Sequence, residues 1–109
     1  MPILPNEKIA LNALKIELNK KYELLDFRIF GSKAKDLDTP ESDLDVMVVL
    51  KNLTPLLESE IDDLIFEINI ENDCLITAIF FDQEELEVGP LSESPIYKKI
   101  TQEGIALWA

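Results

Sequence analysis

The chain has no histidine, one cysteine, three glycines and a single tryptophan among its 109 residues. The missing histidine removes Ser-His-Asp triads, histidine general bases and His-bearing zinc sites. The lone Cys74 excludes an internal disulfide framework, and its place inside an apolar run predicts a buried thiol with no redox role. No apolar stretch is long enough to span a bilayer, and Met1-Pro2 opens no charged-then-apolar signal segment, so a cytoplasmic protein without a membrane role is expected. Basic residues are scarce as well: 10 against 22 acidic ones, a formal net charge of −12. Such a surface repels a phosphate backbone, and stable binding to DNA or RNA is not expected.

The remaining inventory runs chemistry on carboxylates, hydroxyls and lysines, and it supports a hard, oxygen-seeking ion such as Mg²⁺. Acidity of this degree suits a protein partner with a basic face, a small anion whose charge a metal offsets, or solubility alone. Hydrophobic residues make up 47% of the chain, enough for a core in one domain over residues 1–109.

Periodicity orders the chain. Ala10, Leu11, Leu14 and Leu18 recur at helical spacing and predict a helix over 6–22, with Asn6 as its cap. A short strand over 26–30 ends at Gly31, and the polar stretch 33–42 with Pro40 is loop chemistry. The continuous apolar run Leu44–Leu50 predicts a central strand covered on both faces. A second helix over 56–71 presents Leu57, Ile61, Leu64, Ile65 and Ile68 as one stripe and turns Glu58, Glu60, Asp62, Asp63 and Glu67 to water. A third strand is predicted over 74–81, then a turn or short helix over 83–88, broken at Gly89-Pro90. Ser94-Pro95 opens a last helix that Gly104 ends, and Ile105–Trp108 should fold back onto the body. Tyr22, Tyr97 and Trp108 have no aromatic partners at stacking intervals and read as core or rim residues. Strand 44–50 and strand 74–81, joined by a helix, are expected to lie parallel with a right-handed crossover. The predicted fold is α/β (α+β), a small mixed sheet with flanking helices.

The chemistry concentrates in residues 27–50, FRIFGSKAKDLDTPESDLDVMVVL. Gly31-Ser32 closes one strand and Asp43-Leu44-Asp45 opens the next. Carboxylates at i and i+2 of a strand share a face, and a Gly-Ser turn offers amides and a hydroxyl to an anion. Asp43 and Asp45 meet the demand of Mg²⁺ for about two protein carboxylates, the rest coming from phosphate and water. Ser32 and the amides after Gly31 would face the β/γ-phosphates, and Lys33 or Lys35 could add charge. The reaction class is attack on the α-phosphorus of a nucleoside triphosphate with pyrophosphate leaving.

Gly31, Ser32, Ala34, Ser42, Asp43 and Asp45 together resemble the signature of the minimal nucleotidyltransferases of the DNA polymerase β-like superfamily. The match departs at Lys35, where that family has Arg, and at Asp36, where it has Gly. The resemblance implies a polymerase β palm-like fold, Mg²⁺ as cofactor and an NTP such as ATP as substrate. It assigns Asp43 and Asp45 to catalysis and metal, and Gly31, Ser32 and Lys33 to the nucleotide. It also implies transfer to a hydroxyl acceptor on a helical HEPN-type partner, in the manner of an antitoxin; the alternative is a weak or inactive binding module that neutralises its partner by contact. The family's third carboxylate belongs on the strand over 74–81, where Thr77 or Ala78 stands instead. Asp73 precedes that strand and is the candidate replacement. Asp82 lies at its far end, and eight extended residues span about 25 Å, too far to reach.

Overall fold

The computed structural model describes residues 3–31 and 43–106. Its elements are α1 (Pro5–Lys21), β1 (Leu24–Phe30), β2 (Leu44–Leu50), α2 (Pro55–Asn72), β3 (Ile76–Asp82), α3 (Gln83–Val88), a 3₁₀ turn (Pro90–Glu93), α4 (Pro95–Glu103) and β4 (Ile105–Ala106). The strands form one sheet in the order β3-β2-β1-β4. β1 runs antiparallel to β2, whereas β2 and β3 are parallel and joined through α2, a connection long enough for the crossover that a parallel pair needs.

The two faces of the sheet are filled from alternate residues. Val46, Val48 and Leu50 of β2 join Phe27 and Ile29 of β1 and Ile76 of β3 beneath Leu14 and Leu18 of α1 and Ile61, Ile65 and Ile68 of α2. Met47 and Val49 point the other way and meet Phe81, Leu86 and Ile100, the side covered by α3 and α4. The predicted stripe on α2 therefore holds, with Ile61, Ile65 and Ile68 buried and the five acids exposed.

Local hydrogen bonds moved several boundaries. α1 starts at Pro5, whose fixed φ suits the first helical position, and the Glu7 carboxylate accepts the Leu4 N–H at 2.9 Å. Asn6 is thus not the cap. Its amide instead donates to the carbonyl oxygens of Asn72 and Asp73, at 2.9 and 3.0 Å, tying the start of α1 to the end of α2. Thr54 caps α2, its Oγ1 accepting from the Leu57 N–H at 3.2 Å. Ser94 stands at the cap position of α4, but its hydroxyl makes no capping bond.

β3 begins at Ile76, later than predicted, because the Asn69 side chain of α2 brackets that residue's backbone, accepting from its N–H at 2.9 Å and donating to its carbonyl at 3.1 Å. Cys74 consequently falls in the connection and is half-buried rather than buried. Burial still pushes its thiol pKa up, aided by the charges of Glu7 and Asp73. Tyr97 lies at the rim of the second cluster, as read, and packs edge-on against Phe81, with ring centroids 5.3 Å apart and planes at 73°. Trp108 lies outside the described residues. The return of the C-terminus is confirmed as far as Ile105–Ala106, which pair with Ile29 and Arg28. A side chain at Gly104 would collide with the carbonyl oxygens of Ile100 and Ile29, so glycine permits that reversal. Arg28 secures it, holding Asp26 through Nε and donating from Nη1 to the Thr101 carbonyl at 3.3 Å.

Candidate functional site

Asp45 is the hub of the predicted site. On β2 it stands between Phe30 of β1 and Thr77 of β3 in the strand register. It belongs to the alternating set that includes Met47 and Val49, which puts it on the α3/α4 side of the sheet, and Asp43 precedes it by two residues on the same set. At this end of the strand Asp45 is half-buried, while Asp43 and Thr77 are exposed. The prediction of a central strand covered on both faces holds for six of its seven residues, Asp45 being half-buried.

Two contacts fix the Asp45 carboxylate. The Thr77 hydroxyl donates to Oδ1 at 2.6 Å. Oδ2 lies against Gly31, so near that a Cβ on that glycine would sit 2.6 Å from it. Gly31 also holds φ +76°, the left-handed region that side chains disfavour. Both requirements, conformation and space, call for glycine at this one place. The close approach sets the backbone of Gly31 beside the Asp45 carboxylate. Ser32, Lys33, Ala34, Lys35, Asp36 and Ser42 lie outside the described residues.

The third carboxylate is where the site and the sequence pattern part. Thr77 lies directly opposite Asp45, the position on β3 that a partner acid would need. Asp73 stands three residues before the start of β3. It ends α2 in the left-handed conformation, with φ +50°, and its carbonyl accepts from Asn6. Asp82 pairs in register with Leu50 at the opposite end of the strand, where its carboxylate accepts the Leu53 N–H at 2.8 Å and caps α3. Among the described residues no group of three or more His, Cys, Asp or Glu side chains converges. The Thr77–Asp45 bond was missed by reasoning from sequence. Only the exact β2–β3 register, which no spacing in the chain reveals, could have supplied it.

A mixed sheet, a left-handed glycine and an acid pair at one strand end define a small α/β domain. The family model for the nucleotidyltransferase domain matches residues 11–107 of the chain, and the chain belongs to that family. Solved structures agree on the fold. A proposed nucleotidyltransferase from Sulfolobus solfataricus is 17% identical with a TM-score of 0.56, over 97% of this chain and 79% of that one. A chain of a toxin–antitoxin complex with AMP-PNP is 18% identical with a TM-score of 0.61, over 97% and 74% of the two chains. A MntA-HpeT toxin–antitoxin mutant carrying two Asp→Glu substitutions gives 17% identity and a TM-score of 0.59 over the same shares, 97% and 74%. No curated protein matches the chain. Among the described residues no helix is long and apolar enough to cross a membrane.

Proposed function

We propose that the protein is a Mg²⁺-dependent nucleotidyltransferase that moves a nucleoside monophosphate from an NTP, ATP first among them, to a hydroxyl on a protein partner. The observation that carries this reading is the approach of Gly31, the glycine that opens the expected phosphate-binding turn, to the Asp45 carboxylate. The donor set fits Mg²⁺: two hard carboxylate donors at a solvent-open strand end leave room for water and phosphate oxygens, as this ion prefers. Asp43 and Asp45 would hold it, and when bound it offsets the charge of the triphosphate. Gly31 leaves space beside Asp45, Ser32 and Lys33 take the phosphates, and the acceptor hydroxyl approaches the α-phosphorus from the open side while pyrophosphate departs. The toxin–antitoxin names of two structural neighbours support an antitoxin role; a helical HEPN-type toxin as the partner, in the cytoplasm, is what the resemblance of the signature adds to this reading.

A second reading, neutralisation of the partner by contact with little or no transfer, is favoured by one observation: a threonine faces Asp45 in place of an acid. One experiment separates the two. The chain is co-expressed with its genomic neighbour, and the purified pair is incubated with Mg²⁺ and α-labelled ATP. Transfer predicts label on the partner that disappears in Asp43→Ala/Asp45→Ala. An intact complex that stays unlabelled leaves contact neutralisation as the function.

A further inference from the structure

Helix α2 carries two apolar stripes, and the fold uses only one. Ile61, Ile65 and Ile68 are buried against the sheet. Leu56 and Ile70 are separated by two heptads, and Phe66 sits one turn before Ile70, so the three share the opposite face of the helix. They are 69%, 67% and 66% exposed in the order Leu56, Ile70, Phe66. Burial of three large apolar side chains is favourable, and leaving them in water forfeits that gain.

The border of this stripe is of one sign. Residues 55–72 hold Glu58, Glu60, Asp62, Asp63, Glu67 and Glu71 and no lysine or arginine. Asp62 flanks the stripe on one side, and Glu60, Glu67 and Glu71 flank it on the other, with Asp63 between Leu56 and Ile70. Among the described residues none of the six forms an ion pair; the other ion pairs engage Glu17, Glu23, Asp26 and Glu93. Glu60 alone has a side-chain partner, accepting from the Tyr22 hydroxyl at 3.3 Å.

We propose that the outward face of α2 is a docking surface for a protein partner that presents an apolar ridge bordered by lysines and arginines. Charge complementarity selects the occupant. A second copy would set six carboxylates against a molecule of net charge −12, and nucleic acid or an anionic membrane would be repelled outright. The apolar centre supplies affinity and the acidic rim supplies orientation and rate. The surface deepens the reading above, resting on it only for the partner being a protein. Because it lies on the helix layer, away from Asp45, it can hold the partner without blocking the nucleotide.

The test uses the full chain and a defined probe: a helical peptide with a leucine stripe bordered by lysines, and its twin bordered by glutamates. The lysine peptide should bind, more weakly as salt rises, and the glutamate twin should not. Phe66→Asp and Ile70→Asp should each weaken binding at least about tenfold, although both add the negative charge that would strengthen non-specific attraction. Circular dichroism and thermal melting should be unchanged, and Phe66→Ser serves if an aspartate variant fails to fold. Equal binding of both peptides, no binding of either, or binding indifferent to Phe66→Asp overturns the proposal. So does a concentration-dependent dimer that Phe66→Asp abolishes, or capture by neutral lipid vesicles. Asp43→Ala/Asp45→Ala should bind the peptide like the wild type, so loss of the nucleotidyltransferase reading would leave this result standing.

Discussion

The two sides of strand β2 are made from the same seven residues and do opposite work. On the helix-covered side Leu44, Val46 and Val48 are wholly buried, in a cluster that α1 and α2 seal from end to end. On the other side the apolar residues stop at Met47, and towards the start of the strand stand the half-buried Asp45 and, just before β2, the exposed Asp43. A period of two is what allows this division: one residue step changes the environment from core to site. Stability is invested on one face, which frees the other to keep charged groups half in water.

This contrast can be broken by mutation. The largest effect is expected at Phe27, fully buried on the helix side: Phe27→Ala should cost about 3–5 kcal/mol in urea denaturation. Ile100→Ala beneath the thinner cluster should cost about 2 kcal/mol, the low end for such a truncation; equal losses would show that the two faces share the load. Gly31→Ala comes next. It forces a side chain into a left-handed backbone and against Asp45, and should lower stability by about 1–2 kcal/mol while displacing the carboxylate. In calorimetry Mg-ATP binding should fall more than this stability change explains.

Asp45→Asn should leave the melting curve within about 0.5 kcal/mol of the wild type, as a substitution at the solvent-open end of the strand, yet remove Mg-ATP binding. A large stability loss with binding retained would make Asp45 a structural residue. The smallest effects concern single polar groups. Thr77→Val should cost about 1 kcal/mol through the lost bond to Asp45, and Thr77→Ser should restore it. Cys74 tests the quiet end of the molecule. Because burial raises its pKa, less thiolate is present at a given pH. Iodoacetamide should modify it more slowly than a free peptide thiol at pH 8, with the rates converging as pH rises through the shifted value.

Much of this was legible in the chain. The helical spacing of Leu11, Leu14 and Leu18 and the stripe of Ile61, Ile65 and Ile68 gave the helix layer, because burial on one face leaves a periodic trace. The run Leu44–Leu50 matched its strand residue for residue. Misreadings arose where side chains act on distant backbone. Asn6 has the chemistry of a cap, yet it bonds to Asn72 and Asp73, 66 and 67 residues away. Asn69 trimmed the start of β3 for a similar reason and left Cys74 outside it. Phe81 and Tyr97 meet across the thin cluster with no sequence interval to announce the pair.

By itself, the sequence determined what chemistry is available. Without histidine, and with Gly31-Ser32 set before Asp43-Leu44-Asp45, it limited the candidate site to carboxylates, a turn and a lysine or two, with the acid pair expected at a strand start. Those are local properties, set by residue type and short-range periodicity. The tertiary structure alone decided which groups meet. Strand register brought the Thr77 hydroxyl to Asp45 where a third acid was sought. The turn at Gly31 brought its backbone within side-chain distance of the same carboxylate. Packing of α2 on the sheet selected one of its two apolar stripes for the core. Each depends on contacts between residues far apart in the chain, which spacing along the sequence does not encode.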